Sequence, residues 1–181
     1  LSKLIMDCVA RRRAHNPERA DLLAMLMAAR DRKSAEAMPD KQLLDEVITL
    51  IVAGHETTAS ALNWMWYLLS QHPDAERRLH QEIDHLPGDP ATMDESAQLA
   101  YTRQVIEETL RLYPPGWLLT RRSIECDRIG GYAIAANTDV FISPYIVHRH
   151  PAFWVEPERF DPDRFASSHA AQRNRFAICR L

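Results

Sequence analysis

Apolar residues recur every three to four positions as far as Leu112, and that period is lost after Pro114-Pro115-Gly116. Leu1, Leu4, Ile5, Cys8 and Val9 place one helical face at the start of the chain. Asn16-Pro17-Glu18 then offers a capping side chain, a proline for the first turn and an acid for the positive helix end. That helix carries Leu22, Leu23, Leu26 and Met27 and is expected to stop near Lys33. Pro39-Asp40 opens a long helix that His72-Pro73 ends after Gln71. Another starts at Asp74, carries Leu79 and Ile83, and fades at Leu86-Pro87-Gly88. The last runs from Asp94 to Leu112, with Leu99, Val105, Ile106, Leu110 and Leu112 as its apolar members.

Beyond Gly116 the pattern changes to short strands. Trp117-Leu118-Leu119, Tyr132 to Ile134 and Val140-Phe141-Ile142 are the candidates, with a turn at Gly130-Gly131. Asn137 is expected to hold a positive φ between the last two. From His150 onward, Pro151, Pro157 and Pro162 punctuate an aromatic-rich segment expected to be ordered coil. The fold class is therefore mainly α with a few short β strands, built around one long central helix.

Composition narrows the picture. The chain has 181 residues, 46% of them hydrophobic, and a formal charge of -3, which suits one soluble domain with a real core. His55, Glu56 and the threonines interrupt the best apolar run before it reaches the ~18 residues of a membrane span. Arg11-Arg12-Arg13 is basic but lacks interleaved aromatics, which disfavours nucleic acid. Three cysteines, Cys8, Cys126 and Cys179, without CxxC spacing, point to a reducing compartment, by default the cytoplasm. The first residue, Leu1, falls inside a helical pattern, so the chain is expected to be a piece of a longer one.

The most informative stretch is Ala53-Gly54-His55-Glu56-Thr57-Thr58-Ala59, polar groups in the middle of an apolar helix. Val47 to Val52 upstream and Leu62 to Leu69 downstream predict a buried helix, with Glu56 and Thr57 inside. A buried polar group without a partner costs roughly 1 to 3 kcal/mol, and glycine within a helix loses about 1 kcal/mol relative to alanine. Such a patch persists where it is bonded or useful. Gly54 leaves room against the backbone, and the Thr57 hydroxyl can bond back to the carbonyl of Ala53, loosening the ladder enough to admit water.

His55-Glu56-Thr57-Thr58-Ala59 lacks the second histidine of a zinc-binding HExxH helix, since Ala59 stands in its place. Glu108 and Arg111 lie three apart on one helical face, although Glu107 competes for the same arginine at four apart. Pro157-Glu158-Arg159-Phe160, followed by Asp161-Pro162-Asp163-Arg164-Phe165, sets an arginine within the proline-rich coil.

The order of these three elements resembles the cytochrome P450 family of haem-thiolate monooxygenases. The similarity runs from about Asp21 to Phe176 and corresponds to the family's C-terminal half, short of its end. On this resemblance the chain is a single partial domain over residues 1–181, truncated at both ends. The resemblance implies that Ala53 and Gly54 admit dioxygen against the haem face and that Glu56 and Thr57 deliver protons there. It implies that Glu108, rather than Glu107, pairs with Arg111, and that Arg159 closes on the pair in a buried charge network. Arg121 is similar to the arginine that holds a haem propionate, with Arg122 as the alternative. An intact parent would take an apolar organic substrate, dioxygen and two electrons from a ferredoxin or flavoprotein reductase.

One family element is missing: the loop FxxGxRxCxG, whose cysteine thiolate binds the iron. Before Cys179, the positions for its Phe, Gly and Arg hold Gln172, Arg175 and Ala177, and no glycine follows Gly131. Cys179 is therefore not expected to be the iron ligand, no residue is assigned to the metal, and the chain alone is expected to be inactive. The competing expectation is a non-catalytic helical remnant or interaction module that has lost haem.

Overall fold

A computed structural model of the chain describes residues 1–15, 21–86, 98–172 and 177–178, in two compact units, Leu1–Thr58 and Ala59–Leu181. The first unit holds α1 (Ser2–His15), α2 (Leu22–Ala28) and the N-terminal part of α3 (Asp40–Gln71). The start of α2 is set by Asp21, whose Oδ1 accepts from the Ala24 amide at 3.0 Å. The start expected at Asn16-Pro17-Glu18 lies outside the described residues. α2 ends at Ala28, earlier than Lys33, because Ala29 turns to an extended ψ of 139°. Arg30 Nη1 then donates to the freed carbonyls of Met27 and Ala29, at 3.0 and 2.9 Å. Ile5 and Val9 of α1 and Leu43 of α3 are the buried centre of this unit, ringed by Leu23, Leu26, Met27, Val47 and Ile48.

The second unit continues α3 from Ala59 and adds α4 (Pro73–Asp84) and α5 (Ala100–Leu112). α3 has the expected bounds, and His72-Pro73 ends it with Pro73 in the first turn of α4. The Asp94 start expected for α5 lies outside the described residues. Glu82 of α4 serves the start of α5, its carboxylate accepting from the amides of Tyr101 and Thr102 at 2.6 and 2.7 Å. Two amide groups that a helix start leaves unpaired are thus bonded. Met65, Leu68 and Leu69 of α3 pack with Ala75, Leu79, Tyr101, Val105, Leu112 and Phe160 as the core. Trp64 lies flat on Tyr113, with ring centroids 3.9 Å apart and planes 2° from parallel.

Four short strands follow. β1 (Leu119–Arg122) pairs antiparallel with β4 (Asp139–Ile142), and β2 (Asp127–Ile129) pairs with β3 (Tyr132–Ile134). The β2–β3 turn is Gly130-Gly131, at φ +56° and +89°, and Asn137 takes the expected positive φ of +62°. β1 starts two residues later than Trp117, whose carbonyl instead accepts from the Ser143 hydroxyl beyond β4, at 3.1 Å. A one-turn helix, α6 (Pro144–Val147), and two 3-10 turns, Pro162–Phe165 and Ser167–Gln172, complete the described chain.

Candidate functional site

In the first unit the Thr57 hydroxyl donates to the carbonyl of Ala53 at 2.5 Å, as the sequence suggests. A methyl group added at Gly54 would meet nothing within 4 Å, so the helix face there is open. Burial is a different matter. α3 is exposed from Leu50 through Thr58, with Leu50, Ile51 and Val52 at 41 to 46% exposure, and Glu56 and Thr57 stand in solvent. The expected burial is not met because no other described part of the chain covers this stretch.

In the second unit Glu108 and Arg111 are buried, both side chains 0% exposed, and bonded as a fork. Arg111 Nε donates to Glu108 Oε2 at 2.6 Å and Nη2 donates to Oε1 at 2.8 Å. The rest of the guanidinium holds the coil, with Nη1 donating to the carbonyls of His148 (2.8 Å) and Pro157 (2.7 Å) and Nη2 to that of Arg159 (3.2 Å). Every N–H of the arginine side chain is engaged. Glu108 Oε1 also accepts from the Asp161 amide at 2.9 Å. Burial pushes the Glu108 carboxyl up, against the downward pull of Arg111, the Asp161 amide and Arg164. Glu107 lies near Arg103 instead, at 3.9 Å.

Arg159 takes a different place from the one the resemblance implies. Only its carbonyl joins the network; its guanidinium is exposed and pairs with Glu156 at 3.1 Å. The charged neighbour of Glu108 from the coil is Arg164, whose Nε lies 3.5 Å from Oε1 with the side chain 14% exposed. The signal was in the sequence as a second proline-acid-arginine-phenylalanine run, Pro162-Asp163-Arg164-Phe165, five residues beyond the first. The two differ because Pro157 and Arg159 present main-chain oxygen to Arg111, and Asp161 its amide to Glu108. The chain between them thereby turns the Glu158 and Arg159 side chains outward, while Phe160 packs into the core.

His148 was not singled out in the sequence, and it is only 2% exposed. Its Nδ1 donates to the Arg111 carbonyl at 3.2 Å, while its own carbonyl serves Arg111, so the two residues clasp each other at both ends. Arg121 is exposed, with Nη1 donating to the carbonyl of its neighbour Thr120 at 2.8 Å. Arg122 forms a fork with Asp139 at 2.7 and 2.9 Å and is thus already engaged. Cys179 lies outside the described residues. Among the described residues no helix is long and apolar enough to cross a membrane.

The family model described as Cytochrome P450 matches residues 1–179. Cyclooctatin synthase of Streptomyces melanosporofaciens is 45% identical over 159 residues, 87% of this chain and 35% of that protein. Pentalenene oxygenase of Streptomyces avermitilis is 38% identical over 166 residues, 91% of this chain and 37% of that one. The solved structure of retinoic acid bound cyanobacterial CYP120A1 superposes with a TM-score of 0.89 at 31% identity, covering 98% of this chain and 41% of that one. The chain thus spans between a third and about two fifths of the length of these relatives. With a family model matched along nearly its whole length, this chain belongs to the cytochrome P450 family.

Proposed function

We propose that the protein of which this chain is the described portion is a haem-dependent monooxygenase, inserting one oxygen atom of dioxygen into an apolar organic substrate. The observation that carries the proposal is the Thr57–Ala53 bond beside the open face at Gly54. Within each unit taken by itself a feature fits the haem of the family: the open helix face at Gly54 in the first, and in the second an exposed Arg121 paired with no carboxylate among the described residues, together with a buried ion pair that anchors the coil. The iron ligand is not among the described residues.

When bound, haem supplies the iron at which dioxygen is activated with two electrons. The chain supplies the surroundings. Ala53 and Gly54 leave the helix face low enough for dioxygen to lie against it. Because the Thr57 hydroxyl donates its hydrogen bond to Ala53 O, its oxygen lone pairs face away from that carbonyl and can accept from a water. The exposed Glu56 carboxylate can exchange protons between that water and solvent. Arg121 would hold a haem carboxylate, and the Glu108–Arg111 pair fixes the coil from His148 to Asp161.

Apolar side chains at Leu50, Ile51 and Val52 on the same helix favour an apolar substrate. The names of the relatives, an oxygenase of pentalenene and a cyclooctat-9-en-7-ol 5-monooxygenase, agree with insertion of oxygen. A ferredoxin or a flavoprotein reductase supplies the electrons, and free, exposed Cys8 and Cys126 suit the cytoplasm.

The test is Thr57→Ala in the full-length protein, with haem content, oxygen consumption and product measured together. Haem content should be unchanged while oxygen consumption outruns product. Unaltered coupling would remove Thr57 from proton handling. A reduced, carbon monoxide-treated spectrum, with Cys179→Ser beside it, shows whether a thiolate binds the iron and whether Cys179 provides it.

A further inference from the structure

The basic run at the end of α1 has no part in the chemistry proposed above. Arg12 and Arg13 are neighbours, and successive residues on a helix point about 100° apart. Each therefore finds the acid at the start of a different helix. Arg12 forms a two-pronged pair with Asp21, Nη1 to Oδ1 at 2.9 Å and Nη2 to Oδ2 at 2.7 Å. Arg13 forms another with Asp40, Nη1 to Oδ2 at 3.1 Å and Nη2 to Oδ1 at 2.6 Å. Asp21 caps α2 and Asp40 is the first residue of α3, so both carboxylates also face the positive end of a helix. The guanidinium groups occupy the last turn of α1, where positive charge is favoured.

The apolar part of the same docking is thin. Ile5 and Val9 are the buried residues of α1, Leu43 is their fully buried partner on α3, and Leu1 and Leu4 remain 66% and 60% exposed. Apolar burial responds little to dilute salt, whereas exposed ion pairs are screened. The Arg13–Asp40 pair is open to solvent, its side chains 48% and 54% exposed.

We infer that α1 is a strap held on the starts of α2 and α3 by its two arginine forks, the solvent-exposed Arg13–Asp40 fork loosening as ionic strength rises. Release uncovers Leu43 and the flanking Val47 and Ile48. These lie on the stretch of α3 that leads to Ala53–Thr57, so ionic strength sets how freely that part of the helix is approached.

The test is amide hydrogen exchange, read at Ile5 to Arg11 in the full chain at about 0.01 M and 1 M salt, where the screening length falls from roughly 30 to 3 Å. Amides of α5 serve as the internal reference. In the wild type, α1 exchange should quicken by about two- to fivefold for each pair screened. Arg13→Gln should exchange fast already at low salt and respond less to added salt. The swap Arg13→Asp with Asp40→Arg should recover part of the low-salt protection, short of the wild type because each charge then opposes its helix end, and Val9→Ala should speed exchange equally at both salts. Salt-indifferent exchange of α1 in the wild type, or wild-type exchange in Arg13→Gln, would show that packing alone holds the helix.

Discussion

Arg164 lies with its Nε 3.5 Å from Glu108 Oε1, and its Nη2 donates to the Glu156 carbonyl at 3.0 Å, so one side chain joins the buried carboxylate to the bend of the coil. Its side chain keeps 14% of its exposure, where that of Arg159 keeps 63%.

The two arginines should accordingly behave differently. Arg164→Gln is expected to lower stability by about 1 to 3 kcal/mol, since a buried charge loses a partner. Arg159→Gln should stay within about 0.5 kcal/mol of the wild type, as exposed substitutions do. Urea unfolding of both variants decides it, and the reverse order would return the network role to the Arg159 side chain.

Arg111→Lys should cost about 3 to 5 kcal/mol, because one ammonium cannot replace a planar set of five donors. Replacing a buried ion pair wholesale by apolar residues is often nearly neutral elsewhere. Here Glu108→Leu with Arg111→Met should remain strongly destabilised, because the carbonyls of His148, Pro157 and Arg159 and the amide of Asp161 all lose their partners. A double variant as stable as the wild type would show that those main-chain groups find water instead.

Stability should fall on mild acidification through His148. Burial, first, and the nearby Arg111 hold its imidazole below the ordinary value of 6.5. A depressed base is neutral in the fold and protonated first in the unfolded chain, so its stabilisation is complete above that range. It is lost as pH falls from there toward the folded value. His148→Gln should flatten this part of the stability-against-pH curve, whatever it does to the absolute level. An unchanged slope would exclude His148 as its source.

Glu156 adopts φ +46° immediately before Pro157, a left-handed position that a bulky side chain before proline disfavours. Its carbonyl nevertheless accepts from both Arg159 N and Arg164 Nη2 at 3.0 Å, which keeps the bend in place. Glu156→Gly should raise stability by about 1 kcal/mol by removing the strain, and a melting temperature below that of the wild type would show that the exposed carboxylate pair with Arg159 matters more.

The ends of α3 and α5 were legible because they are local: His72-Pro73 stops α3, and Pro114 stops α5, by main-chain chemistry alone. Asn137 and Gly130-Gly131 were legible for the same reason, each marking a left-handed turn. The burial of α3 was not, since apolar residues around Glu56 record that a cover is needed without saying whether this chain supplies it. Nor did spacing separate Glu107 from Glu108 or Arg159 from Arg164. Each choice depends on which way a side chain turns relative to partners as many as 56 positions away. His148 gave no signal at all, because a histidine that acts through its own carbonyl and another's looks like any other histidine.

His148, Pro157 and Arg159 serve Arg111 through main-chain oxygen, an atom that every residue type carries. The coil can therefore tolerate changes of letter far better than changes of length. A residue inserted between His148 and Arg159 displaces its downstream neighbours by up to about 3.3 to 3.6 Å, the span of a whole hydrogen bond. Substitution scanning would report the exposed positions of this segment as permissive, buried His148 and Trp154 excepted, while single-residue insertions and deletions in the same span would be poorly tolerated.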